Sequence, residues 1–308
     1  MREALLLLCP IPADLHAALA ERYELVPDDV ALATQPGFRI AVTTAMQGAT
    51  AAQLDRLPDL KLLSSQGTGL ERIDLPGAAQ RGVAVAYTPD VMTEDVADAA
   101  IGLMYGAARL VAEADRFVRA GRWGQERMRL GLSLHRKVAG IVGMGRIGQA
   151  IARRCAALGM AVAWTGPRDK PELPWPRLPS LLALAERADV LILALAATPE
   201  SDRMVDAAVL RALGPQGVLV NIARGALVDE EALIAALESG GIAGAGLDVF
   251  AREPALDPRF LTLGNVVLAP HSASLTRETR AALIARMLAD IEAFREGRDF
   301  LDAAARAG

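Results

Sequence analysis

Short apolar runs alternate with stretches of helical spacing along the chain, which is the pattern of a parallel α/β sheet. In the first hundred residues Ala4–Leu8, Tyr23–Val26, Ile40–Thr43, Leu60–Ser64 and Ala84–Ala86 read as strands. Ala13–Glu21 and Ala51–Leu57 read as helices between them. The opening run is too short for a secretory core and is followed by Pro10 and Pro12, so it reads as a buried first strand. From Thr93 to Ala120 the spacing predicts one long helix, with Val96, Ala100, Leu103, Met104 and Ala107 on its apolar face and Gly121 as its stop. A second series opens at Val138, with strands expected at Val138–Val142, Ala161–Trp164, Val190–Leu193, Val218–Ile222, Gly244–Asp248 and Val266–Leu268. A closing helix follows from Thr276 to about Arg295. Two α/β domains are expected, each a doubly wound parallel sheet, with the long helix crossing between them.

Composition narrows the function classes. Of 308 residues, 52% are hydrophobic and 23% charged, which excludes a disordered or fibrous chain. Thirty-three basic against 37 acidic residues, a net charge of −4, argues against a nucleic-acid or anionic-membrane partner. No run reaches the roughly 18 apolar residues of a membrane span. Two cysteines, Cys9 and Cys155, and three histidines, His16, His135 and His271, form no disulfide framework and no metal site. A cytoplasmic location is expected. Only Lys61, Lys137 and Lys170 are lysines, so an arginine here carries less meaning than usual.

The strand Val138–Val142 runs into Gly143-Met144-Gly145-Arg146-Ile147-Gly148, a G-x-G-x-x-G turn followed by a helical pattern from Gln149 to Leu158. That context gives the glycines work: Gly143 for the tight turn, Gly145 for close approach of a pyrophosphate, and Gly148 for helix–strand packing. The helix N-terminus then faces the phosphates, so a Rossmann or flavodoxin-like dinucleotide domain is expected. An NAD site places a carboxylate at the end of the next strand. This chain has Trp164-Thr165-Gly166-Pro167-Arg168-Asp169-Lys170 there, with Gly166 in the acid's place and Arg168 after it. A missing carboxylate removes repulsion toward a 2′-phosphate, and an arginine pairs with it in two-pronged fashion. NADP (as NADPH) is therefore preferred, with NAD the alternative.

Open α/β sheets carry their chemistry beyond the carboxyl ends of the strands. Arg224, Glu253 and His271 all fall there. His135 precedes its strand and His16 lies in the first helix, so both read as surface residues. Hydride transfer to a 2-keto acid needs a cation for the carboxylate and carbonyl, which Arg224 supplies. It also needs a proton donor working near neutral pH, the task of His271. Glu253 would stabilise and orient that imidazole.

These stretches resemble the D-isomer-specific 2-hydroxyacid dehydrogenase family over nearly the whole chain. The resemblance is carried by the glycine turn, by Asn221-Ile222-Ala223-Arg224-Gly225-Ala226-Leu227-Val228-Asp229, by Gly246-Leu247-Asp248-Val249-Phe250 with Glu253-Pro254, and by Pro270-His271. Thr88-Pro89-Asp90-Val91 through Asp98, with Trp164-Thr165-Gly166, is most similar to the glyoxylate/hydroxypyruvate reductases within it. The resemblance implies Arg224 as substrate cation, His271 as acid/base and Glu253 as its partner. It also implies a discontinuous substrate domain (1–95 with 276–308), a cofactor domain (96–275), an active site in the cleft between them, and a homodimer joined through the cofactor domains. Beside the glycine turn, the residues expected to face the cofactor are Arg146, Ile147, Thr165, Gly166, Arg168, Ile222, Ala223 and Asp248. Gln66-Gly67-Thr68-Gly69 matches the family's substrate-carboxylate loop; its amides would form an anion nest, with Thr68 and Gly69 touching the substrate. Trp123 and Met128 read as dimer-interface core rather than pocket lining.

The expected activity is NADPH-dependent reduction of glyoxylate or hydroxypyruvate to the D-2-hydroxy acid. The alternatives are an NAD-dependent enzyme of other specificity, such as for hydroxyphenylpyruvate, or a non-catalytic dinucleotide sensor. A sensor has no need of all three charged groups. Formate oxidation has no carbonyl oxygen to protonate, and a methyltransferase leaves Arg224, Glu253 and His271 unexplained.

Overall fold

The computed structural model describes residues 2–28, 37–298 and, as backbone only, 303–305. The chain divides into two compact units, Met1–Met92 with Thr276–Gly308 and Thr93–Leu275. Of the expected domain spans, residues 1, 29–36, 299–302 and 306–308 lie outside the described residues.

The first unit contains strands β1 (Ala4–Leu7), β2 (Glu24–Pro27), β3 (Ile40–Thr44), β4 (Leu62–Gln66) and β5 (Ala84–Ala86), with helices α1 (Ala13–Ala20), α2 (Ala51–Asp55) and α3 (Leu75–Gln80). In the second unit α4 (Thr93–Ala108) and α5 (Val111–Arg119) precede β6 (Val138–Val142), α6 (Arg146–Ala157), β7 (Ala161–Thr165) and α7 (Leu181–Arg187). The unit continues through β8 (Val190–Leu193), α8 (Ala207–Leu213), β9 (Val218–Asn221), α9 (Glu230–Glu238), β10 (Gly244–Leu247) and β11 (Val266–Leu268). Helix α10 (Arg277–Arg295) and strand β12 (Ala303–Ala305) return to the first unit.

The two sheets run β12-β5-β4-β3-β1-β2 and β11-β10-β9-β8-β6-β7. Every pairing is parallel except the edge pair β12–β5. In each sheet the chain lays its second strand on one side of the first and the later strands on the other. That reversal, between β1 and β3 and again between β6 and β8, is the switch point at which such sheets bind ligands.

The strands read as unbroken apolar runs because both faces are covered. Leu5 and Leu7 face Tyr23, Met287 and Ile291, the last two from α10, while Leu6 and Leu8 face Leu54, Leu57 and Ile73. In the second unit Leu191, Leu193, Leu219 and Leu247 pack with Leu184, Leu210, Leu233 and Leu237 from α7, α8 and α9. On the other face α4 lies so close to β10 that a Cβ on Gly246 would stand 2.9 Å from Leu103. Among the described residues no helix is long and apolar enough to cross a membrane.

The single long helix expected from Thr93 to Ala120 is in fact two. Leu110 takes a left-handed conformation (φ 58°) and separates α4 from α5. The carbonyl of Ala108, which the next turn of a continuous helix would use, instead accepts the Leu132 N–H at 2.7 Å. A tertiary hydrogen bond therefore takes the place of the next helical one where α4 ends, two residues after Gly106.

Candidate active site

The glycine turn joins β6 to α6. Gly143 has φ 93°, and its N–H donates to Thr165 O at the end of β7 (2.9 Å). A Cβ there would fall 2.6 Å from Leu195 Cβ and 2.8 Å from Ala194 O. Gly148 presses its Cα against the Gly143 carbonyl, with no room for a side chain. Gly145 differs: nothing lies within 4 Å of the place where its Cβ would be. The turn is closed on the protein side and open at the start of α6, as a pyrophosphate cradle must be. Arg146 and Ile147 begin α6, whose buried side includes Ala150, Ile151 and Cys155. Burial pushes the Cys155 thiol up to about 12.

At the end of β7 no carboxylate stands in the ribose position. Thr165 is buried, and its hydroxyl donates to Leu178 O (3.1 Å). The loop after it folds back onto its own strand: Trp164 Nε1 donates to Trp175 O (3.0 Å) and Arg177 Nη2 to Gly166 O (2.7 Å). The Arg177 guanidinium also stands 5.8 Å from the Trp164 ring centre. Arg168 is exposed on this loop, and the Asp169 carboxylate accepts the neighbouring Lys170 N–H. Arg177 escaped the sequence reading because it lies eleven residues beyond Gly166. The donor set, two guanidinium groups and no acid on β7, suits a 2′-phosphate better than a bare ribose.

Arg224 leaves β9 on a loop that Asn221 shapes. The buried Asn221 side chain accepts the Ala223 N–H (3.0 Å) and donates to Arg224 O (2.9 Å). Arg224 Nη1 donates to Ala223 O (2.7 Å), and Ile222 and Ala223 are themselves buried. Gly225 then packs onto the Phe250–Ala251 backbone so closely that any Cβ would overlap it.

Glu253 and His271 meet. His271 Nδ1 lies 2.7 Å from Glu253 Oε2, with side chains 34% and 17% exposed. Against a carboxylate, which only accepts, Nδ1 must carry a proton and donate, leaving Nε2 to exchange a proton. Glu253 Oε1 accepts the Phe250 N–H (2.9 Å), closing the turn beyond β10. His271 has φ 53°, a left-handed conformation uncommon outside glycine. Three hydrogen bonds hold it. His271 N–H donates to Asp248 O (2.8 Å), and the Asp248 carboxylate accepts the Ser272 N–H (2.7 Å) and the Ala273 N–H (2.9 Å). Asp248 was expected to face the cofactor; only 1% exposed, it has both oxygens engaged by the turn that presents His271. Sequence reasoning missed this because the contact spans 24 residues.

In the first unit, Gly67 (φ 120°) follows β4, and a Cβ there would strike Ala45. Its N–H donates to the Thr88 hydroxyl (2.9 Å), so of the loop's amides this one is engaged within the protein. Thr68 Oγ1 points to Met92 Sδ (3.8 Å), and Gly69 is buried. His16 and His135 are both exposed.

A family model described as "D-isomer specific 2-hydroxyacid dehydrogenase, NAD binding domain" matches residues 101–273, more than half of the chain. The chain belongs to that family. It is 48% identical over 248 residues to the 2-ketogluconate reductase of Gluconobacter oxydans, covering 80% of each chain. It is 40% identical over 303 residues to a glyoxylate/hydroxypyruvate reductase of Arabidopsis thaliana, covering 96% of this chain and 97% of that one. Among solved structures it is similar to the NADPH-dependent glyoxylate/hydroxypyruvate reductase of Sinorhizobium meliloti in complex with NADP and malonate. The TM-score is 0.92, with 38% identity, over 99% of this chain and 97% of the other.

Proposed function

We propose that the protein reduces a small 2-keto acid, glyoxylate or hydroxypyruvate, to the D-2-hydroxy acid with NADPH. The observation that carries this reading is the Glu253–His271 pair, 2.7 Å apart at the carboxyl edge of the sheet that bears the glycine turn. Arg224 binds the substrate carboxylate and polarises the keto oxygen. With Nδ1–H held by Glu253, His271 presents Nε2 to that oxygen as general acid, and the carboxylate stabilises the imidazolium that donates. The dihydronicotinamide supplies the hydride. Gly143 and Gly148 close the turn on the protein side, Gly145 leaves space for the pyrophosphate, and Arg168 and Arg177 take the 2′-phosphate. Asp248 serves the reaction through the His271 turn. The likeness to a 2-ketogluconate reductase favours a second reading, a longer polyhydroxylated 2-keto acid met by the same three groups.

The protein works as a homodimer joined through its cofactor units. In and after α5, Trp123 (78% exposed), Leu130 (93%), the exposed Val111 and Val118 and the half-buried Met128 present apolar surface that a second copy would cover. The activity test follows NADPH and NADH absorbance with glyoxylate, hydroxypyruvate, pyruvate, 4-hydroxyphenylpyruvate and 2-ketogluconate. Faster turnover with NADPH and a small keto acid supports the reading. Faster turnover with NADH overturns its cofactor part, and silence from folded, NADPH-binding protein promotes the sensor reading.

A further inference from the structure

The turn that carries Glu253 needs its own anchor. Its internal hydrogen bond, Glu253 Oε1 to Phe250 N–H, spans three residues and fixes Glu253 only relative to that turn. The neighbouring amide, Ala251 N–H, is received from outside: Glu230 Oε1 accepts it at 2.7 Å across 21 residues. Glu230 is the first residue of α9, where a carboxylate is also favoured by the helix dipole. The start of α9 is itself well fixed. Asp229 caps the Ala232 N–H (3.2 Å) and pairs with Arg203, and Leu233, Ile234 and Leu237 are buried beneath it. The chain runs from Arg224 through the Gly225–Leu227 turn into the same helix start, while Gly225 packs on Phe250. One helix terminus thus serves as reference for both the substrate cation and the acid/base pair, and Glu230 is its polar link to the second.

We propose that Glu230 is a positioning residue, setting the Glu253 turn, and through it His271, at the correct place relative to Arg224. The proposal rests on the reading of Glu253 and His271 as the acid/base pair. Two substitutions separate its parts. Glu230→Ala removes the acceptor for Ala251 N–H, whereas Glu230→Gln keeps one in its amide oxygen. Both are assayed in the full-length protein with NADPH and with glyoxylate and hydroxypyruvate, alongside NADPH affinity by fluorescence. In parallel, ¹⁵N imidazole spectra report on His271, one of only three histidines, with its signal assigned from its loss in His271→Gln.

Glu230→Ala should lower kcat by roughly tenfold, up to the hundredfold that a catalytic group misplaced by about 1 Å can cost. NADPH affinity should hold, the His271 Nδ1 signal should move, and Glu230→Gln should restore both rate and signal. Two results would overturn the proposal: a wild-type His271 signal and rate in Glu230→Ala, or Glu230→Gln failing as badly as Glu230→Ala. Failure of the underlying reading looks different, since His271→Gln would then turn over like wild type.

Discussion

Replacing Asp248 by Asn tests whether this carboxylate serves the catalytic turn or the cofactor. The change alters one atom in volume terms but converts one of two acceptors into a donor. The carboxylate now accepts two N–H groups, from Ser272 at 2.7 Å and Ala273 at 2.9 Å, and the residue is 1% exposed. One of these amides would face an NH₂ group. Losing a hydrogen bond to a charged acceptor costs about 1.5–3 kcal/mol, and the amide left without a partner adds to that. Ser272 and Ala273 are only half-buried, so water recovers part of the loss, and a total of about 2–3 kcal/mol is expected. The left-handed backbone of His271 (φ 53°) costs about 1–2 kcal/mol to hold, so the turn is where this loss appears. If half of it displaces the histidine, kcat falls by about tenfold. Steady-state kinetics with NADPH, NADPH affinity and urea unfolding of the variant measure the three quantities. Lower kcat and lower stability with unchanged affinity are expected. Weakened NADPH binding with an intact kcat would refute the argument and return Asp248 to the cofactor.

Arg168→Ala should raise the KM for NADPH by about ten- to hundredfold, the worth of a charge-assisted pair with phosphate, and change that for NADH little; equal effects on both would place Arg168 in a solvated loop. The Cys155 thiol, pushed up to about 12 by burial, stays protonated throughout the neutral range. At pH 8 iodoacetamide should therefore leave Cys155 unmodified in the native protein and label it in urea, as read by peptide mass spectrometry; rapid native labelling would mean that α6 opens readily.

The fold was legible because its strands are buried on both faces. Val138–Val142, Val190–Leu193, Val266–Leu268 and Ala84–Ala86 have the same limits in the structure as in the sequence reading. The α4–α5 break was not legible, since Ala108 loses its helical partner to Leu132, 24 residues away. The same division runs through the site. Glycines in a strand–turn–helix context announce themselves locally, and Arg224, Glu253 and His271 each follow a strand end. What holds those groups in place does not announce itself. Asp248, Glu230 and Arg177 look like ordinary polar residues until the fold brings each onto a backbone group of another turn, while Asn221 acts within three residues of its own loop. Gly67 adds a contact of the same kind, its amide donating to the Thr88 hydroxyl 21 residues away.

The central claim is that His271, held by Glu253, is the proton donor of keto-acid reduction. Its most direct test is kcat of His271→Gln with NADPH and the best keto acid, at a cofactor concentration that saturates both proteins. A fall of about 10²–10⁴, the usual worth of a general acid, with NADPH affinity intact, is the predicted result. Wild-type turnover by this variant would contradict the account.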